Sequence, residues 1–329
     1  MLIIKDLYKF YGKFSALSGL NMHVNKGDLY GFVGPNGAGK TTTMRICVGL
    51  LAADGGEIFI DGEEVLHNTD RMKEKIGYVP DFFGAYDNMT AIEYLQYYAA
   101  TYGFQGEDTL KMCEGLLDLV KLSDKRDTDV NGLSRGMKQR LCMARGLVHN
   151  PDLLFLDEPA SGLDPRARYE LKLILRNLTD MGKTIVISSH ILAELAEMCN
   201  SVGIVDRGRM VLSGDIEELL HSARFMNPLM ISVEGADQQR AVMVIRQIPA
   251  VKQVRVQGRQ IVVQLDGGQE IEQYILRTLI NNNIMVSSFR RDEGSLEELF
   301  MKMTGKSLTA EEEPADPKNR KAAKGRKVG

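Results

Sequence analysis

Residues 34 to 41 read Gly34-Pro35-Asn36-Gly37-Ala38-Gly39-Lys40-Thr41, with Thr42 following, at the spacing GxxxxGK[ST]. Glycines at these positions let backbone N–H groups converge on an anion where side chains would collide. A helix opening at the end of such a loop adds the positive end of its dipole. Lys40 then reaches the β- and γ-phosphates of a nucleotide, and the Thr41 hydroxyl is a ligand for Mg²⁺. A second landmark is Leu153-Leu154-Phe155-Leu156-Asp157-Glu158-Pro159, an apolar run that delivers two carboxylates at its end. Ligands of open α/β sheets bind at that edge. Asp157 suits Mg²⁺, a hard cation that prefers oxygen, and Glu158 is placed to polarise a water for attack on a γ-phosphate. These two elements predict a phosphate-loop nucleoside triphosphatase.

Such chemistry needs a frame. Leu29-Tyr30-Gly31-Phe32-Val33 reads as a buried strand ending at the glycine loop. Glu57-Ile58-Phe59-Ile60, followed by Asp61-Gly62, reads as a strand entering a hairpin turn, and this first third of the chain reads as short strands and turns. From about residue 88 to 150 the period becomes helical. Thr90 and Glu93 form a capping box. Leu110, Cys113, Leu117 and Val120, and later Met137, Leu141, Ala144 and Val148, form apolar stripes. Leu153 to Leu156 and Thr184 to Ile187 are continuously apolar, as parallel strands covered on both faces are, and Pro165 to Thr179 between them has helical spacing. The fold class is therefore α/β, a core with an antiparallel β subdomain and an inserted helical subdomain. After residue 224 the order β-α-β-β-α-β-α predicts a small separate α+β domain of ferredoxin-like type. Its last helix, Ser295 to Met303, is opened by Ser295 with Glu297 and Glu298 in the first turn.

At about 150 residues per domain, 329 residues suggest two domains. The pattern sets them at 1–220 (helical subdomain about 88–150) and 225–305, with 306–329 as a charged tail. That tail carries Glu311-Glu312-Glu313 and then six basic residues from Lys318 to Lys327, and is expected to be disordered. With 44% hydrophobic and 26% charged residues, a wholly disordered, collagenous or disulfide-scaffold chain is excluded. The balance of 41 Lys+Arg against 44 Asp+Glu argues against broad nucleic-acid binding, so no nucleic-acid partner is expected. No run of 18 apolar residues is present to span a bilayer, and Met1 to Asp6 lacks a signal-peptide pattern. Cys47, Cys113, Cys142 and Cys199 form no CxxC pair, so packed thiols are expected rather than a zinc site or disulfides.

Three further segments narrow the reading: Leu133-Ser134-Arg135-Gly136 just upstream of the acidic strand, Ser161-Gly162-Leu163-Asp164 just after it, and His190 at the end of the strand Thr184 to Ser189. With the two landmarks they resemble, in order and spacing over residues 1 to about 220, the ATP-binding subunit of ABC transporters. The resemblance implies that ATP and Mg²⁺ are bound and that ATP is hydrolysed. It implies that Leu133 to Gly136 is the signature, with Arg135 where the family often has Gly. Ser134, Arg135, Gly136 and Asp164 would then serve the nucleotide of a second subunit. His190 would be the switch histidine beside Glu158, and Tyr11 the aromatic that stacks on adenine. Ile76-Gly77-Tyr78-Val79-Pro80-Asp81 aligns with the family's Q-loop, with Asp81 in place of Gln. A carboxylate there can coordinate Mg²⁺, and it also adds negative charge beside the phosphates.

The Tyr78 to Asp81 form, the Arg-containing signature and the added C-terminal segment resemble ABC-2-type exporters, which carry drugs, antibiotics, lipids or polysaccharides. The implied assembly is a homodimer, or a heterodimer with a paralogue, working on a separate transmembrane permease at the cytoplasmic face of the cell membrane. Two other readings stay open at this level: the ATPase of an importer with a regulatory C-terminal domain, and a soluble ABC protein that does not transport.

Overall fold

Two strands longer than the residue pattern predicts open the chain, β1 (Leu2–Tyr11) and β2 (Phe14–Val24). Their pairing shifts register between Ile4 and Leu7, between Leu7 and Tyr8, and between Lys9 and Phe10. Each shift breaks the alternation by which a strand is recognised. The computed structural model describes residues 1–66, 73–81, 88–291 and 295–304, and the tail read at 306–329 lies outside them. β3 (Leu29–Val33) runs into the glycine loop and α1 (Lys40–Cys47). β4 (Gly55–Ile60) turns at Asp61-Gly62 into β5 (Glu63–Glu64), and β6 (Ile76–Val79) follows.

Thr90 caps α2 (Ala91–Thr101) in the expected box. Its backbone N–H donates to Glu93 Oε2 at 2.8 Å, and the Glu93 N–H donates to Thr90 Oγ1 at 3.4 Å. α3 (Glu107–Leu119) and α4 (Arg135–Gly146) complete the helical block, where Cys113, Leu117, Val120, Leu141, Ala144 and Val148 of the two stripes are buried. The α/β pattern resumes with β7 (Leu153–Leu156), α5 (Pro165–Asp180), β8 (Thr184–Ser189), α6 (Leu192–Ala196), β9 (Ser201–Asp206), β10 (Arg209–Asp215) and α7 (Ile216–Met226).

A six-stranded sheet in the order β10-β9-β3-β8-β7-β6 forms the centre, parallel except for β10. Its strands send alternate side chains to opposite faces. Leu29, Val33, Leu154, Leu156, Ile185 and Ile187 join the helices in one core. Tyr30, Phe32, Leu153, Phe155 and Val186 face the antiparallel sheet β2-β1-β4-β5 in a second. Covering on both faces is why these runs carry no polar alternation. Burial in these cores pushes the Cys47 thiol up to about 12 and the Cys142 thiol up to about 11.

The chain continues through β11 (Leu229–Val233), α8 (Gln238–Arg246), β12 (Val251–Gln257), β13 (Gln260–Leu265), α9 (Gln269–Asn281) and β14 (Val286–Arg291). The strands form an antiparallel sheet in the order β12-β13-β11-β14, the ferredoxin-like arrangement of a βαββαβ unit, around its own core of Ile231, Ile245, Val263 and Ile275. The last helix, α10 (Leu296–Thr304), packs instead on α6, α7 and β10. Among the described residues, no helix is long and apolar enough to cross a membrane.

Phe155 is fully buried between the central and antiparallel sheets, two residues before Asp157. Phe155→Ala is expected to destabilise this layer by about 3–5 kcal/mol in chemical denaturation, the usual cost of an aromatic-sized void. A loss below about 1 kcal/mol would show that the two sheets do not depend on this contact.

Candidate active site

The C-terminal ends of β3, β6, β7 and β8 lie along one edge of the sheet, and each carries residues singled out in the sequence. Beyond β3, the glycine loop closes onto β2. Gly39 has φ +110°, and a Cβ there would come within 2.7 Å of Leu17 Cδ2 and 2.9 Å of the Ala16 carbonyl oxygen. Only glycine meets both demands. Gly39 is also the cap residue of α1 and offers its first-turn N–H groups no side-chain acceptor, which leaves them suited to an anion.

Lys40 is buried, its Nζ donating to the carbonyl oxygens of Gly34 at 2.6 Å and Pro35 at 3.3 Å. Burial pulls its pKa below the usual lysine range, and the Glu158 and Asp157 carboxylates pull against that shift. Thr41 Oγ1 donates to Asp157 Oδ1 at 3.1 Å. Asp157 is almost fully buried and also accepts from Ser188 Oγ at 2.7 Å. That same Ser188 oxygen accepts from the Glu158 N–H at 2.8 Å. One hydroxyl on β8 therefore fixes both acidic residues at the end of β7.

Glu158 itself has φ +49°, an unfavourable backbone for a residue with a long side chain. The carboxylate so turned lies with Oε1 3.6 Å from Lys40 Nζ and Oε2 2.9 Å from His190 Nδ1. Tyr78 on β6 lies close to Asp157. Its hydroxyl pKa is pushed up first by burial and next by the charge of Asp157.

A cleft of about 450 Å³ opens over these groups, lined by Tyr11, Asn36, Gly37, Gly39, Lys40, Thr41, Thr42, Asp81, Glu158 and His190 among others. Gly34 and Pro35 contribute the carbonyls that hold Lys40, and Ala38 is buried behind the loop. Asp157 is reached from the cleft through Thr41. Ser134, Arg135, Gly136 and Asp164 are not part of this lining. Ser134 Oγ accepts from the Met137 N–H at 3.4 Å and caps α4, and Asp164 Oδ1 accepts from the Ala167 N–H at 2.8 Å and caps α5. The two caps are exposed and their helices touch, since a Cβ on Gly136 would come within 2.8 Å of Ala167 Cβ.

Phe14 and Ser161 also line the cleft; Ser161 and Tyr78 stand inside segments quoted from the sequence without a role of their own, and Phe14 and Ser188 are not picked out by the motifs. Phe14 stands directly across the β1–β2 turn from Tyr11, so both exposed rings flank the same opening. For Ser188 the available signal is a pair of hydroxyls, Ser188 and Ser189, ending an apolar run just before His190. The donor set suits a hard cation: Thr41 Oγ1 and Asp157 are adjacent oxygens, and among the described residues no cluster of three or more His, Cys, Asp or Glu forms a metal cage. Mg²⁺ is commonly held this way, by one or two protein oxygens plus phosphates.

The family described as "ABC transporter" matches residues 17–161, and the one described as "ATP-binding protein DrrA1-3-like, C-terminal domain" matches residues 214–304. The chain is 30% identical over 310 residues to the linearmycin resistance ATP-binding protein LnrL of Bacillus subtilis (strain 168), covering 94% of this chain and 99% of that one. It is 31% identical over 309 residues to the Nod factor export ATP-binding protein I of Ralstonia nicotianae, covering 94% and 95%. Among solved structures it resembles the ADP conformation of MJ1267, an ATP-binding cassette of an ABC transporter, with a TM-score of 0.63 and 25% identity over 66% of this chain and 92% of that one. With likeness of this order along nearly its whole length, the chain belongs to the ABC transporter family, as one of its ATP-binding, ATP-hydrolysing subunits.

Proposed function

We propose that this subunit hydrolyses ATP with Glu158 as general base and that the cycle drives export through a separate transmembrane permease, with the chain docked peripherally at the cytoplasmic face of the cell membrane. The observation that carries the catalytic part is the Glu158 carboxylate at the cleft floor, held between Lys40 at 3.6 Å and His190 at 2.9 Å. Lys40, Thr42 and the N–H groups from Asn36 to Thr41 grip the phosphates. Tyr11, with Phe14 beside it, offers π-faces to the adenine. Thr41 and Asp157 would hold Mg²⁺, which when bound would supply neutralisation of the phosphates' negative charge. Asp81 faces the same cleft and is a further oxygen donor toward that cation. His190 orients Glu158 and contacts the terminal phosphate.

Ser134, Arg135, Gly136 and Asp164 act in trans on the nucleotide of a second copy of this chain or of a paralogue. The exposure of Ser134, Arg135 and Asp164 and the separation of all four from this chain's own cleft support that reading. Each nucleotide then needs two chains, and loss of its γ-phosphate contacts loosens the pair. Export of an antibiotic, drug, lipid or polysaccharide is supported by the relatives, one named for linearmycin resistance and one for Nod factor export. Those names do not favour an importer.

Glu158→Gln is expected to keep ATP binding and cut turnover at least about 100-fold, the scale of general-base loss. With ATP and Mg²⁺ the variant should run as a dimer in sizing chromatography; near-normal turnover would contradict the role of Glu158, and a persistent monomer the action in trans. Lys40→Ala should weaken ATP binding itself, and an unchanged affinity in a titration would remove Lys40 from the phosphate site. Ser188→Ala should lower kcat about 10-fold through misplacement of Glu158 while ATP affinity holds. If kcat stays at the parental value, Ser188 is structural only.

A further inference from the structure

The nine-residue helix α10 lies at the end of the described C-terminal segment, yet it is built into the nucleotide-binding half. Ser295 opens it, its Oγ accepting from the Glu298 N–H at 3.1 Å. Leu296, Leu299 and Phe300 are buried. Leu296 and Phe300 share a core with Leu192 and Leu195 of α6, Leu212 of β10 and Leu219 of α7, and take no part in the core of the C-terminal sheet. Asn227, just past α7, donates to Glu298 Oε2 at 3.1 Å and ties the helix down a second time.

The helix that receives α10 is the informative one. α6 has five residues and begins two residues after His190. A helix that short has no stability of its own and takes its position from what it packs on. Three supports surround it. On one side Leu195 presses on β3, where a Cβ on Gly31 would lie 3.1 Å from Leu195 Cδ1. On another, Glu194 pairs with Arg168 Nη1 at 3.0 Å, and Arg168 Nη2 donates to the Leu163 carbonyl at 3.3 Å. The third is α10. The first two belong to the nucleotide-binding core, and only the third is supplied by the appended segment.

We propose that α10 is a positioning element for the switch histidine. Through Leu296 and Phe300 it holds α6, and α6 holds His190 against Glu158, so the C-terminal segment sets the turnover rate without touching nucleotide. This inference rests on the proposed roles of His190 and Glu158 in hydrolysis.

The test compares full-length Phe300→Ala and Phe300→Leu with the parent for ATP hydrolysis, ATP affinity and thermal melting, each also in a His190→Ala background. Phe300→Ala is expected to lower kcat about 10-fold with ATP affinity held within about twofold, and Phe300→Leu to recover most of that loss. In the His190→Ala background neither substitution should lower the residual kcat further, since both act through one residue. Should Phe300→Ala melt below the assay temperature, Phe300→Leu carries the same comparison with a smaller loss, about twofold, that vanishes without His190. An unchanged kcat in folded Phe300→Ala overturns the proposal, as does an equal fractional loss with and without His190. A His190→Ala chain with parental kcat overturns the role of the histidine itself.

Discussion

The Glu158 carboxylate bridges two basic side chains on different elements, Lys40 Nζ at 3.6 Å and His190 Nδ1 at 2.9 Å, and it does so from a backbone with φ +49°. Strain of that kind persists only where the surroundings over-determine it. Here they do. The Glu158 N–H is taken by Ser188 Oγ, the Ser161 N–H donates back to the Glu158 carbonyl at 3.0 Å, and Asp157 is locked by the same serine. The rest of the nucleotide-binding half can be understood as what keeps β3, β7 and β8 side by side, so that a lysine, two carboxylates and a histidine meet at their ends. Cores on both faces of the sheet serve this end, since a shift of one strand would part the groups.

Much of this was legible in the chain because the chemistry sits next to the element that delivers it. Lys40 opens α1 at the end of the glycine loop, Asp157 and Glu158 follow the apolar run of β7, and His190 follows β8, so the loop or strand just before each one marks it. The roles of Ser188 and Tyr78 are not readable in this way, although Ser188 follows the apolar run Ile185 to Ile187 and Tyr78 stands in the quoted Tyr78 to Asp81 segment. They lie within their strands, and their importance comes from what the neighbouring strand brings opposite them. Phe14 is hidden for another reason: its partnership with Tyr11 is set by the β1–β2 register, which bulges shift in ways the alternation does not reveal. The βαββαβ order of the C-terminal part was readable from alternating periods. The destination of α10 was not, because an amphipathic stripe of Leu296, Leu299 and Phe300 says that a face is buried without saying against what.

α4 and α5, with the segment after β7, are packed as one block. Gly136 lets α4 approach Ala167 of α5, and Gly162 lies under the Arg135 guanidinium, where a Cβ would come within 2.6 Å of Nη1. Farther along α4, buried Arg140 donates to the Val120 and Lys121 carbonyls at 3.1 and 3.0 Å and pairs with Glu170 of α5 at 3.3 Å. α3, α4 and α5 are thereby joined through one guanidinium, whose loss would leave carbonyls and a carboxylate without it. Ser134 and Asp164, at the N-terminal ends of α4 and α5, thus keep a fixed spacing.

That block has consequences for how one chain senses another. Asp164 is six residues from Glu158, through a segment whose turns are closed by Ser161 to Glu158 and Leu163 to Ala160 hydrogen bonds. Arg168, four residues into α5, reaches both the Leu163 carbonyl and Glu194 on α6, the helix that follows His190. On the proposed reading, a second chain that presses on Ser134 and Asp164 therefore pushes on elements leading to Glu158 by the chain itself and to His190 through an ion pair. The two residues that bridge at 2.9 Å would respond together rather than one after the other. A flexible signature loop could bind the partner's nucleotide as well, but only a rigid block transmits the binding to the carboxylate.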